Sequence, residues 1–162
     1  CRHARCSRST MSCARTPGNR KHWPTMLLAS VVHRPKADGQ PRPEPTIGDP
    51  VTMRFHFTAR ERVVEPVFGM SFTSSDGVLV TGCNTRQQGI VVDVEPGPGH
   101  LDLVVPRLLV APGRYHVTGT IYDREQTAPI HEVGDLHAFV VREGEFSTSG
   151  ITSLGGEWRP GA

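Results

Sequence analysis

The sequence predicts an all-β fold, an antiparallel β-sandwich of immunoglobulin-like or jelly-roll type. Three observations lead there. Apolar and polar residues alternate strictly along several segments, the mark of half-buried strands. Glycine- and proline-rich punctuation separates these segments at spacings of about 8–12 residues. No window sustains the i, i+3, i+4, i+7 apolar pattern of an amphipathic helix. At 162 residues the chain suits one domain with a real core.

The elements follow in order. Residues 26–33 read as the lead into a first strand, and residues 34–50 as a long loop rich in proline, which cannot supply ladder donors. Val51 to Thr58 is the clearest strand, with Val51, Met53, Phe55 and Phe57 on one face and Thr52, Arg54, His56 and Thr58 on the other. Phe68, Met70 and Phe72 make a second inward row. The turn Ser75-Asp76-Gly77 then leads to a returning strand at Val78–Val80. Ile90–Val94 and Leu101–Val105 are predicted strands around a turn at Glu95–Gly99. After the Pro112-Gly113 turn, Tyr115, Val117 and Ile121 alternate with His116, Thr118, Thr120 and Tyr122, and Leu136–Val141 closes the set. The predicted core is Phe55, Phe57, Phe68, Met70, Phe72, Tyr115, Val117 and Ile121. Gly69 reads as a site of close packing and Asn84 as a turn former.

The charge is asymmetric. Residues 1–36 carry eight of the 18 basic residues and none of the 16 acidic ones, so the body is acidic. An acidic body is a poor polyanion binder, because Lys and Arg neutralising phosphates supply most non-specific affinity for nucleic acid. Residues 1–25 read as a disordered basic tail outside the fold, and 26–162 as the domain. Three of the four cysteines lie in that tail and only Cys83 in the body, so no disulfide framework is implied and a cytosolic compartment fits. Cys83 reads as a small buried apolar residue. No stretch approaches the roughly 20 apolar residues of a membrane span.

Motifs for catalysis are absent. There is no Gly-x-Ser-x-Gly elbow, no phosphate-cradling Gly-rich loop ending in Lys-Ser/Thr, and no dinucleotide fingerprint. His116, His131 and His137 stand on separate segments without a second ligand at metal-binding spacing, so no metal and no cofactor is expected. Asp93, Asp102, Asp123 and Glu125 are acids that a fold could bring together for glycosidic cleavage, and the sequence favours no pair of them.

A binding surface is easier to place. In a sandwich, strands near residues 67–74, 114–122 and 136–142 would share one sheet, by analogy with the C, F and G strands of immunoglobulin-like folds. Fixing the inward residues sends Ser71, Thr73, His116, Thr118, Thr120 and Tyr122 outward. Hydroxyls, an imidazole and a phenol ring suit a sugar, which needs hydrogen bonds and a stacking surface. The bland reading is a solvated face rich in Thr because Thr suits strands.

The run Glu65-Pro66-Val67-Phe68-Gly69-Met70-Ser71-Phe72, the turn Ser75-Asp76-Gly77 and the end Gly82-Cys83-Asn84-Thr85 resemble the C-terminal domain of Wzt-type ATP-binding subunits of ABC transporters that export O-antigen. Supporting pieces are Gly48-Asp49-Pro50-Val51, Leu108 to Tyr115, Phe139-Val140-Val141 and Gly155-Gly156-Glu157-Trp158, so the resemblance spans roughly residues 29–160. Trp158 reads as a strap packing the C-terminus, with a sugar-stacking platform as the alternative. The resemblance implies a non-enzymatic module that recognises a lipid-linked polysaccharide. Its expected partners are that O-antigen-like glycan, the transporter's ATPase and membrane subunits, and a second copy in a homodimer. Its expected place is cytoplasmic, peripheral to the inner face of the membrane. The chain departs from that pattern in showing no ATPase segment, with the basic stretch in its place. The rival readings are a structural or dimerisation sandwich that binds no sugar, and a glycan-active enzyme.

Overall fold

Alternation becomes ladder along three of the predicted strands. In the computed structural model, which describes residues 25–33, 44–144, 146–156 and 159, seven strands form two antiparallel sheets. β1 (Thr25–His33), β2 (Val51–Ala59) and β5 (Gly97–Val105) make a three-stranded sheet in the order β1-β2-β5. β3 (Val67–Ser74), β4 (Leu79–Asn84), β6 (Gly113–Tyr122) and β7 (Pro129–Val141) make a four-stranded sheet in the order β4-β3-β6-β7. The expectations for residues 1–24 and for Trp158 fall outside the described residues.

The core lies between the sheets. β2 is buried at every second residue, and all eight predicted core residues are buried, from Ile121 at 0% exposure to Phe57 at 7%. Phe55 and Phe57 of one sheet meet Phe68 of the other at ring-centroid distances of 6.5 and 5.1 Å. Phe139 packs on Phe72 (5.7 Å) and on Tyr115 (5.8 Å). Burying each such side chain contributes about 1.5–3 kcal/mol, so these rings hold the layers together. The Tyr115 hydroxyl keeps a partner inside the core by donating to the Ala111 carbonyl at 2.7 Å. That bond ties the start of β6 to the turn before it, as a tyrosine corner does.

Gly69 and Asn84 have local roles. The ring of Tyr122 lies over Gly69, where a Cβ would meet it at an ordinary contact distance of 3.6 Å. Asn84 Oδ1 accepts from the Gln87 amide (2.8 Å), and Gln87 Oε1 accepts from the Asn84 amide (3.1 Å). This reciprocal pair ties the end of β4 to the short 3₁₀ turn Arg86–Gln88.

Three sequence expectations are corrected. Ile90–Val94 is not a strand: only Val94 pairs, in an isolated bridge to Val63, while Val91 is 73% exposed. The chain there is still leaving the 3₁₀ turn through Gly89 at φ 69°, and the Ile90 amide donates back to Thr85. The predicted Glu95–Gly99 turn is instead mostly ladder, with Ala59 paired to Gly97 and Phe57 to Gly99. β5 is an edge strand, where Pro98 needs no donor. A Cβ on Gly99 would come within 2.6 Å of the Phe57 ring, so the glycine leaves that aromatic its place. The last strand begins at Pro129 rather than Leu136, because a bulge interrupts it.

Candidate functional site

β3, β6 and β7 share one sheet, as the sequence predicts, and paired residues of a ladder point to the same face. Thr73 is paired with His116, and Ser71 with Thr118. Between β6 and β7 the register shifts: Val117 faces His137 and Gly119 faces Val133, so residues 134–136 stand opposite Thr118 alone. An insertion of this size must leave the ladder plane. Asp135, at φ 51°, brings its Oδ1 to 2.9 Å from His116 Nδ1.

The result is an open depression of about 380 Å³ lined by Thr73, Ser74, Ser75, Gly77, His116, Thr118, Gly134 and Asp135. Its second wall is the β3–β4 turn. There the Ser74 hydroxyl donates to Asp76, Gly77 takes φ 84°, and the Gly77 amide donates to the Ser74 carbonyl at 2.9 Å. The Ser74 hydroxyl holds the Asp76 carboxyl below the usual carboxylate range.

The six predicted residues divide. Thr73, His116 and Thr118 line the depression, and Ser71 lies beside it, half-buried. Tyr122 stands at the other end of β6, its ring against Gly69, outside the depression. Thr120 is corrected: it belongs to the outward row but is buried there, at 7% exposure. It sits in the middle of the sheet, with Gly69 on one side and Glu132 on the other. Sequence reasoning missed Asp135 and the Ser74–Gly77 turn as wall residues. The Gly134-Asp135 pair inside an otherwise strand-like run was the available signal for a bulge.

Three of the four acids weighed for hydrolysis have other engagements, and Glu125 is exposed. Asp93 accepts from Arg62 at 2.7 Å, and Asp123 from the Thr127 hydroxyl at 2.6 Å. On the far sheet, Asp102 receives the Arg54 guanidinium in a two-bond fork of 2.7 and 2.8 Å, beside the facing imidazoles of His56 and His100. Among the described residues, no group of three or more His, Cys, Asp and Glu is placed to hold a metal ion. No helix among them is long and apolar enough to cross a membrane.

The opposite side differs in character. Two apolar hollows of about 330 and 350 Å³ run along the seam between the edge strands β4 and β5, lined by Met70, Cys83, Leu103 and Val104 among others. Partial burial raises the Cys83 thiol pKa, which makes it a poorer nucleophile.

A search of curated proteins finds no match. Among solved structures, the C-terminal domain of Wzt superposes with a TM-score of 0.72 at 15% identity, covering 86% of this chain and 85% of that one. A β-glucuronidase of glycoside hydrolase family 2 reaches only 0.44 at 13% identity, over 65% of this chain and 10% of that one, and carries no argument. The profile of the Wzt C-terminal domain matches residues 31–154, most of the chain. The chain therefore belongs to the Wzt C-terminal domain family.

Proposed function

We propose that this domain binds a polysaccharide without altering it, and that it serves an ABC transporter exporting a lipid-linked, O-antigen-like glycan from the cytoplasmic side of the membrane. Family membership supports the transporter setting. The observation that carries the binding role is the hydroxyl-lined depression over β3, β6 and β7. It is shallow and open, so a long chain can lie across it and continue past both ends. Its walls offer hydroxyls, an imidazole and a carboxylate, groups that match the dense donors and acceptors of a sugar. Three of the four acids considered for catalysis are engaged by Arg62, Arg54 and Thr127, which supports binding over cleavage.

The test is a glycan array followed by calorimetry on the best ligand. His116→Ala and Thr118→Val should weaken binding about tenfold or more, while Thr52→Ala on the other sheet should leave it unchanged. If no glycan binds, the domain is not a sugar reader, and the apolar β4–β5 seam becomes the functional surface as a protein contact. If Thr52→Ala alone loses affinity, the site lies on the three-stranded sheet.

A further inference from the structure

The depression has a charge as well as a shape. Four hydroxyls, one imidazole and one carboxylate line it, with no Lys or Arg among them. His116 Nδ1 and Asp135 Oδ1 stand 2.9 Å apart, so imidazole and carboxylate share one wall of the depression. The Asp135 side chain is 82% exposed, which leaves its second oxygen open to a ligand. Asp76 sits on the rim between Ser75 and Gly77, and Glu132 is exposed farther along β7 on the same face. Arg114, a cation of that face, stands two residues before His116, roughly 7 Å away by strand rise, and does not line the depression. Among the described residues, Asp135 lines the site with Asp76 and Glu132 near it, and no Lys or Arg lines it.

Resting on the glycan-binding reading, we infer that this site selects by charge: it takes a glycan whose bound sugars carry no carboxylate, sulfate or phosphate, and Asp135 is the specificity residue. Neutral sugar hydroxyls donate to the exposed Asp135 carboxylate, and an amino sugar does so more strongly. An acidic sugar brings like charge against Asp135 and Asp76, and among the described residues no Lys or Arg lines the depression to offset it.

Asp135→Asn isolates the charge. Asn tolerates the left-handed backbone that φ 51° demands, and it keeps the size and shape of the side chain beside His116. The full chain is tested on an array of matched neutral, amino, uronate and phosphorylated glycans. The best ligand and its acidic counterpart are then measured by calorimetry at 50 and 500 mM salt. The parent should bind neutral or amino glycans, prefer the neutral member of a matched pair at least tenfold, and hold its neutral-ligand affinity within about twofold across the salt range. Asp135→Asn should narrow the neutral-over-acidic preference about tenfold. A parent that prefers acidic glycans, or an unchanged preference in the variant, overturns the inference while leaving glycan binding intact. Failure of the parent to bind any glycan overturns the glycan-binding reading, and this inference with it.

Discussion

Single side chains show how local chemistry is drawn into the fold. Tyr115 is 4% exposed, its ring is packed on Phe139, and its hydroxyl donates to the Ala111 carbonyl. Burial also raises the Tyr115 pKa, so the phenol stays protonated and able to donate. Tyr115→Phe keeps the packing and removes the bond, leaving that carbonyl without its donor. The expected loss is about 1 kcal/mol, read as a lower urea midpoint with an unchanged slope. A loss near zero would mean that packing alone holds the corner. Asp135 makes the complementary case: its importance comes from a backbone dihedral and a neighbour across the ladder, not from its own residue type.

At the scale of the element, alternation is strong information because a one-residue slip sends every side chain to the wrong face. β2 and β3 are pinned this way, and the rings they turn inward form the contact between the sheets. Phe57→Ala or Phe72→Ala removes a ring with 7% or 6% exposure, and each should cost about 3–5 kcal/mol. Chemical denaturation measures this directly, and a cost below 1 kcal/mol would place the ring outside the core. β7 was harder to read. Its alternation breaks at the insertion opposite Thr118, and only Leu136 onward looked like a strand in the sequence. β5 misled in the other direction, because Gly97-Pro98-Gly99 has the composition of a turn. Its edge position and the space Phe57 needs over Gly99 make it strand.

For the whole molecule, titration links the surface pairs to stability. Asp93, Asp102 and Asp123 are held below the usual carboxylate range by Arg62, Arg54 and Thr127 respectively. Groups lowered in this way add stability above their unfolded pKa, near 3.9, and lose it as pH falls through the folded values. Their exposure keeps the effect small. His131 works earlier. Burial lowers its pKa, so the unfolded chain takes up its proton first, and stability begins to fall as pH drops through about 6.5. The thermal midpoint should therefore decline in two stages on acidification. His131→Gln should flatten the first stage, between about pH 7 and 5, and leave the one below pH 4. The same slope in parent and variant would assign the first stage to another group.

The amino-acid sequence by itself determined the fold class, the inward faces of β2, β3 and β6, the sheet shared by β3, β6 and β7, and the resemblance that the family match bears out. These properties are written in short-range alternation and turn chemistry, which each segment carries independently of its partners. Only the tertiary structure decided which outward residues meet. It drew Thr73, His116 and Thr118 together, buried Thr120 in mid-sheet, turned Tyr122 onto Gly69, and brought Asp135 to His116 through a bulge. The reason is physical. The face a residue points to follows from its own strand, but the neighbours it finds there are set by register and bulges between strands far apart in sequence.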